Sequence, residues 1–236
     1  MQANQLLYLS RADVETVDLK MAEIIEALDV AFRAKGEGRV EMPPKPGIHP
    51  GGGDNFIHAM PAYIPALKSA GVKWVSGFPE NQSRGLPYIT GLLILNDPVT
   101  GIPIAVMDCI WITAMRTGAA TALSARFLAR PESSVIGVLG CGVQGRTNVE
   151  ALNVLFPLSR VMAYDVDGEA AGRYAEEIRA RHGLESVVVD DPREAVTDCD
   201  LVVTAGPILK VPHATIRAGW MDEGAFASLV DFDSYW

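Results

Sequence analysis

Three glycines in the second half of the chain have a spacing that can bind a phosphate group. The run VIGVLGCGVQG places Gly140, Gly142 and Gly145 in the pattern GxGxxG, after a strand-like stretch and at the start of a helix-like one. The first glycine permits a tight turn, the second lets a pyrophosphate approach the backbone, and the third lets helix and strand pack closely. Free N–H groups at the helix start then face the phosphates. The run therefore predicts a dinucleotide site.

An acidic residue at the end of the next strand supports this prediction. Asp165 lies near the end of the run RVMAYDVD, 25 positions after Gly140, where an acid accepts hydrogen bonds from the adenosine ribose hydroxyls. Flavodoxin-like and methyltransferase-like domains also contain glycine-rich turns, but the strand, helix and acid together favour a dinucleotide domain. A carboxylate would repel a 2′-phosphate, and no arginine follows before Arg173, so the predicted cofactor is NAD(H) and NADP(H) is disfavoured.

The first half of the chain contains three cations that could bind a substrate carboxylate. Lys73 alternates with Val72 and Trp74 in GVKWVSG, so it shares a face with Val75. Arg116 lies in a segment almost devoid of other charges, and Lys45 lies in a stiff, proline-rich loop. Together they could form a carboxylate-binding cluster, although Lys73 and Arg116 could instead be structural ion-pair partners.

These residues need two different kinds of scaffold. In the first half, Ser10 and Asp13 resemble a helix cap, and apolar residues spaced by three and four predict an amphipathic helix that ends at Gly36–Gly38. The proline- and glycine-rich stretch 40–53 predicts a loop or an edge segment. Short β-branched and aromatic runs then predict a mostly antiparallel sheet, followed by an alanine-rich helix that ends before Pro131.

From Ser133 onward, apolar strands alternate with helices, a pattern that indicates a parallel sheet covered by helices on both faces. The predicted fold class is therefore α/β, with a Rossmann-type nucleotide domain and an α+β substrate-binding domain. We expect residues 1–128 to form the substrate domain and residues 129–236 to form the nucleotide domain. Thr204, Ala205 and Gly206 follow the fourth strand of this sheet. They should line the nicotinamide side of the crevice in which the dinucleotide binds.

Composition limits the kinds of partner. A net charge of −9 without any basic cluster argues against nucleic acid, and no apolar run approaches the ~20 residues that span a bilayer. No secretory signal is visible, so we expect a cytoplasmic protein without a membrane partner. Three distant cysteines match no disulfide framework and no metal site. A small-molecule partner is the remaining expectation.

Seven motifs, taken in order, resemble those of the ornithine cyclodeaminase/mu-crystallin family. They are MPPK, AMPAY, GVKWV, GLP, TGIPIAVMD, TAMRTGAA and GCGVQG, and they cover essentially the whole chain. Members of that family move a hydride between nicotinamide and the α-carbon of an amino acid or its imine. The resemblance also implies a homodimer whose interface involves the first domain.

The resemblance assigns roles to individual residues. Arg116 would grip the substrate carboxylate, Lys73 would lie beside that carboxylate and the reacting nitrogen, and Lys45 replaces an arginine of the cyclodeaminases. His58 falls where a cyclodeaminase would carry a glutamate, although it could simply be a structural histidine. Asp233 would act as general acid/base, although Asp231, two positions away, leaves open that Asp233 is a solvated loop acid. The expected cofactor-binding residues are Thr117, Gly140, Gly142, Val143, Gln144, Gly145, Asp165, Thr204, Ala205, Gly206 and Leu229.

The leading functional prediction is an NAD(H)-dependent amino acid dehydrogenase or imine reductase. An ornithine cyclodeaminase that forms proline is the first alternative, but Lys45 and His58 weaken it because a diamino acid needs anionic groups around its distal nitrogen. A non-enzymatic, mu-crystallin-like binder of nucleotide and ligand is the second alternative. Because family members continue beyond a fifth strand such as FASLVDF, we also expect the nucleotide domain to be truncated at its C-terminal end.

Overall fold

The computed structural model describes residues 5–232 and 234–236, which fold into two compact units, one that ends at Thr113 and one that begins at Ala114. Residues 114–128 thus lie in the second unit, whereas the sequence-based division places them in the first. The functional boundary at residue 128 stays a prediction. Among the described residues, none of the helices combines the length and apolar character needed to cross a membrane.

The first unit begins with two helices, α1 (Arg11–Thr16) and α2 (Met21–Gly36). The predicted cap of α1 is confirmed: the backbone N–H of Asp13 donates to Ser10 Oγ, and the N–H of Ser10 donates to the Asp13 carboxylate at 2.8 Å. The predicted amphipathic helix is α2, which buries Met21, Ile25 and Ala34. It ends just before Gly38, whose positive φ of 72° stops a helix.

A six-stranded sheet completes the first unit. Its strands are β1 (Leu7–Leu9), β2 (Gly47–Ile48), β3 (Phe56–Ile64), β4 (Ser69–Gly77), β5 (Ile89–Asn96) and β6 (Pro103–Asp108). Their order is β1-β6-β5-β4-β3-β2, and only the β1–β6 pair within this sheet is parallel. The mostly antiparallel prediction is therefore confirmed, and the proline-rich stretch supplies a two-residue edge strand.

The two faces of this sheet differ in exposure. Because side chains alternate along a strand, Lys73 and Val75 share one face while Trp74 points to the other. Val75 is 5% exposed, whereas Trp74 is 47% exposed. The register places Lys73 opposite Met60 on β3 and Leu93 on β5. Lys73 thus extends from the more buried face, as its position in the sequence predicts.

Helix α3 (Ile110–Leu128) leads from the first unit into the second. Its small residues allow a close approach to α4 (Val143–Leu155). A Cβ at Gly118 would lie 2.3 Å from the carbonyl oxygen of Thr147, so only glycine fits at this crossing. Helix α3 is thereby packed directly against the helix that follows the glycine motif.

The second unit is a five-stranded parallel sheet. Its strands are β7 (Val135–Leu139), β8 (Arg160–Tyr164), β9 (Glu185–Val188), β10 (Leu201–Thr204) and β11 (Phe226–Leu229), in the order β11-β10-β7-β8-β9. Helix α5 (Gly168–His182) packs against β8 and β9. Ile136, Val138, Val161, Val202 and Val203 are all fully buried, as expected for strands covered on both faces. The predicted Rossmann-type fold is confirmed.

Candidate functional site

The glycine motif forms the turn between β7 and α4, where the strand order reverses. Gly140 has φ 104°, and a Cβ there would lie 2.7 Å from the carbonyl carbon of Ala205; a Cβ at Gly145 would lie 2.5 Å from the oxygen of Gly140. A Cβ at Gly142 would meet nothing within 4 Å. The protein's own packing therefore requires the first and third glycines, while the second leaves open space above the turn.

The start of α4 adds N–H donors to that space. Gly142 is the N-cap residue and offers no side chain to cap the helix. The first N–H groups of a helix have no acceptor inside it, and they carry the positive end of the helix dipole. Val143, Gln144 and Gly145 supply these groups, and an open cradle lined by N–H donors fits the pyrophosphate of a dinucleotide.

Asp165 lies at the end of β8, beside the glycine turn. One carboxylate oxygen accepts the N–H of Cys141 at 2.7 Å, and the other accepts the N–H of Asp167 at 3.0 Å. A carboxylate has about four acceptor positions, so the group retains capacity for ribose hydroxyls. The sequence indicates the ribose-binding role but not the bond to Cys141, by which Asp165 also fixes the turn.

Cys141 itself carries no nucleophilic chemistry. It is 3% exposed, and burial, reinforced by the charge of Asp165, raises the pKa of its thiol to about 12. A thiol that remains protonated at neutral pH is a poor nucleophile. Cys141 therefore acts as a small residue within the turn.

The C-terminal ends of β10 and β11 form the other side of the crevice. Thr204 Oγ1 donates to one carboxylate oxygen of Asp231 at 2.9 Å, and the N–H of Gly206 donates to the other at 3.3 Å. Asp231 is fully buried, and Trp236 Nε1 donates to Thr204 Oγ1 at 3.0 Å. The sequence singles out Thr204 to Gly206 but not the buried carboxylate that orders them. Asp233 lies outside the described residues.

In the first unit, the predicted lysine is held by a buried hydroxyl. Lys73 Nζ donates to Thr113 Oγ1 at 3.2 Å, and that hydroxyl lies 3.8 Å from the sulfur of the fully buried Cys109. Thr113 is itself only 7% exposed. Sequence reasoning missed Thr113, because its partner is 40 positions away and no short motif joins them.

His58 and Lys45 lie near each other on the same unit. His58 stacks on the ring of Phe56 with centroids 4.6 Å apart, and its position opposite Val75 puts it on the same sheet face as Lys73. Partial burial, together with the charges of Lys45 and His49, lowers the pKa of His58. The first unit thus places His58, which is neutral at pH 7, near Lys45 and on the same sheet face as Lys73.

Arg116 and Thr117 belong to the second unit, on α3. Arg116 is exposed and Thr117 is partly buried, one turn or less from the crossing with α4 at Gly118. Leu229, another predicted cofactor contact, is 39% exposed at the end of β11.

A parallel sheet ordered around a glycine turn, with an acid at the end of the second strand, defines a dinucleotide-binding α/β unit. The chain belongs to the ornithine cyclodeaminase/mu-crystallin family, whose model matches residues 5–234. This confirms the resemblance seen in the motifs.

The chain is also similar to individual members of the family along most of its length. An alanine dehydrogenase of Archaeoglobus fulgidus is 38% identical over 229 residues, 97% of this chain and 68% of the relative. The structure of Thermococcus litoralis Δ1-pyrroline-2-carboxylate reductase with NADH and L-proline aligns with TM-score 0.88 and 35% identity, covering 94% of this chain and 67% of that one. An archaeal alanine dehydrogenase dimer with bound NAD aligns with TM-score 0.86 and 38% identity, covering 94% and 66%. The chain thus spans about two thirds of the length of these relatives.

Proposed function

We propose that this protein is an NAD(H)-dependent oxidoreductase that transfers a hydride between nicotinamide and the α-carbon of a small amino acid or its imine. The observation that carries the proposal is the open cradle above Gly142, with Asp165 beside it, in a chain of this family. Bound NAD(H) supplies or accepts the hydride. The relatives that bind NAD or NADH and act on alanine or a cyclic imino acid support the same reaction class.

The cofactor is held by the second unit. The N–H groups at the start of α4 would bind the pyrophosphate, and Asp165 would accept the ribose hydroxyls. Thr204, Ala205 and Gly206 would border the nicotinamide, and Thr117 and Leu229 would contribute further contacts. The carboxylate of Asp165 disfavours a 2′-phosphate at this position, so NAD(H) is the cofactor rather than NADP(H).

Cations bind and orient the substrate in this proposal. Arg116 would hold the carboxylate through its planar guanidinium, and Lys45 and Lys73 are the further cations to which we assign substrate binding. Holding the carboxylate fixes the α-carbon, and such positioning can contribute several kcal/mol, roughly 7–11 at most, to lowering the barrier. Lys73 would also polarise the imine in the reductive direction. Asp233 would exchange the proton on the reacting nitrogen.

The side-chain chemistry favours a dehydrogenase or imine reductase over a cyclodeaminase. The partners that we assign around the substrate in the first unit are Lys45, Lys73 and His58. The pKa of His58 is lowered, so this histidine is neutral at pH 7. Lys45 and Lys73 would repel the second ammonium group of a diamino acid, whereas they would attract the carboxylate of alanine or of a cyclic imino acid. Ornithine cyclodeaminase remains the alternative because it uses the same scaffold.

A substrate screen tests the proposal. NADH oxidation is followed by absorbance with pyruvate plus ammonia and with Δ1-pyrroline-2-carboxylate, and proline is assayed after incubation with NAD and ornithine. We expect turnover in at least one of the first two reactions. If proline formation from ornithine is the faster reaction, ornithine cyclodeaminase becomes the favoured function and the dehydrogenase or reductase becomes the alternative. NADH binding without turnover of any of these substrates would favour a non-enzymatic protein that binds nucleotide and ligand.

We further propose a homodimer formed through the exposed face of the first-unit sheet. Trp74 and Leu92, which pair across β4 and β5, are 47% and 40% exposed, an unusual exposure for large apolar side chains on a sheet face. The dimer of the archaeal relative supports this partner. Light scattering should give twice the chain mass of 25.3 kDa, and Trp74→Lys should give a monomer. A wild-type monomer would contradict the proposal.

We place the protein in the cytoplasm. Cys109, Cys141 and Cys199 are buried thiols rather than disulfides, which fits a reducing compartment.

A further inference from the structure

Arg146 follows the third glycine of the motif and turns back onto the loop that precedes its own helix. Its guanidinium donates to the carbonyl oxygens of Cys141 and Gly142, the latter at 3.0 Å. It also donates to Glu177 Oε2 at 2.7 Å. One side chain thus binds the two consecutive carbonyl groups at the centre of the glycine turn.

Helix α5 fixes this arginine from the other side. The guanidinium carbon lies 5.2 Å from the centre of the Tyr174 ring, a distance at which a cation and an aromatic face attract each other. The Tyr174 hydroxyl donates to the carbonyl oxygen of Gly145 at 3.2 Å, and its burial raises its pKa well above the ordinary value, so it stays a donor. The hydrogen bond from Arg146 lowers the pKa of Glu177, so its carboxylate stays charged.

The geometry of the peptide bond gives these contacts a consequence on the opposite side of the turn. In a trans peptide, the C=O and N–H groups of one plane point in opposite directions. Both peptide planes here are trans. Directing the carbonyls of Cys141 and Gly142 toward Arg146 therefore directs the N–H groups of Gly142 and Val143 away from it. It also turns the oxygen lone pairs, which would repel a phosphate, onto a cation.

We propose that Arg146, held by Glu177 and Tyr174, is a positioning residue that aims the N–H groups of Gly142 and Val143 at the pyrophosphate of the dinucleotide. The inference rests on the proposed function, since it assumes NAD(H) in the cradle. Arg146 acts from beneath the loop and through the backbone.

The test compares Arg146→Met with Arg160→Met. Methionine keeps an unbranched apolar side chain of similar length and removes the guanidinium. Arg160 is the matched control, because it also pairs with a glutamate, Glu185 at 2.9 Å, but lies at the opposite end of β8 from the site. NADH affinity is measured by nicotinamide fluorescence, and ADP-ribose and adenosine are measured by competition against NADH.

We expect Arg146→Met to weaken NADH and ADP-ribose binding by about tenfold, the effect of losing one or two charge-assisted hydrogen bonds. Adenosine has no pyrophosphate, so its affinity should change by less than about twofold, as should every affinity of Arg160→Met. In turnover, KM for NADH should rise while kcat at saturation stays near wild type. Arg146→Lys keeps the positive charge but not the planar guanidinium with its several N–H donors. Its affinity for NADH should therefore lie between those of Arg146→Met and wild type.

Three results would overturn the inference: unchanged NADH affinity in Arg146→Met, equal weakening of NADH and adenosine, or an equal effect in Arg160→Met. If Arg146→Met does not fold, Glu177→Gln gives the same test, with a smaller but still pyrophosphate-specific loss expected. If the wild-type protein itself fails to bind NADH, the proposed function fails first, and that outcome is distinguishable from all the others.

Discussion

The crossing of α3 and α4 makes a sharp prediction about a single methyl group. A Cβ at Gly118 would lie 2.3 Å from the carbonyl oxygen of Thr147 and 2.6 Å from its carbonyl carbon. Both are backbone atoms of a helix and cannot rotate away as a side chain can. Because ordinary contacts are roughly 3.5 Å, Gly118→Ala requires the helices to separate by about 1 Å.

Two effects of opposite sign decide the outcome. Replacing glycine by alanine inside a helix gains about 1 kcal/mol from reduced backbone entropy. Overpacking a close contact costs about 1–3 kcal/mol and occasionally more, and the backbone partner puts Gly118 at the upper end. We expect Gly118→Ala to be destabilised by about 1–3 kcal/mol, which lowers Tm by roughly 2–10 °C.

Gly172 provides the matched control. It also lies inside a helix, α5, but a Cβ there would meet nothing within 4 Å. Gly172→Ala should therefore show only the propensity gain of about 0.5–1 kcal/mol and a Tm raised by roughly 1–4 °C. The two variants carry the same chemical change, so the difference between them isolates the helix crossing.

Urea and thermal unfolding followed by circular dichroism measure both variants, and NADH titration follows for the folded proteins. Because α3 carries Arg116 and Thr117 beside the crossing, and α4 begins at the glycine turn, Gly118→Ala should also weaken NADH binding. Equal stabilisation of both variants would refute the reasoning, since it would show that the helices separate at no cost.

Three further predictions concern single side chains. Asp165→Ser should raise NADPH affinity relative to NADH by about tenfold in fluorescence titrations, because it removes a negative charge near the 2′ position; an unchanged ratio would contradict the cofactor assignment. Thr113→Val, which removes an acceptor from Lys73, should lower kcat/KM by roughly 5- to 30-fold, while Thr113→Ser should keep it; equal rates would exclude a positioning role. Burial opposes ionisation of Asp200, but two backbone N–H groups and Arg130 outweigh it and lower its pKa. A carboxyl group whose pKa is lowered by folding stabilises the fold at pH values above its pKa in the unfolded chain, about 3.9. Urea unfolding should therefore show a lower midpoint for Asp200→Asn than for wild type at pH 7, and this difference should shrink as the pH falls below about 4. A difference that does not change with pH would contradict a lowered pKa of Asp200.

Features that depend on local pattern could be predicted from the sequence. Strand and helix alternate after Ser133 with apolar strands, and that pattern alone indicates a parallel sheet. The three glycines could be assigned separate roles because each role follows from the spacing, and the close approaches at Gly140 and Gly145 now supply the physical reason. The capping residues Ser10 and Asp13 are only three positions apart, so they too are visible locally.

Features that depend on packing between distant segments could not be predicted. Arg146 meets Glu177 31 positions away, and Lys73 meets Thr113 40 positions away. Each contact requires two elements to be docked with known rotation about their axes, and a single sequence gives no such information. The motif therefore predicts the glycines proposed to face the cofactor but not the arginine that contacts their turn.

The stretch VDFD shows the same limit within four residues. Two aspartates spaced by two share a face of an extended chain, so the sequence treats Asp231 and Asp233 alike. Strand β11, however, ends at Leu229, and Phe232 has a left-handed φ of 57°, so the alternation does not continue through this stretch. Asp231 is buried and its carboxylate binds Thr204 and Gly206. A buried carboxylate with these donors orders the segment proposed to border nicotinamide, and it is poorly suited to exchange a proton with a substrate that enters from solvent. The acid/base role therefore stays with Asp233 as a prediction, and Asp231 is the structural partner that keeps the neighbouring loop in place.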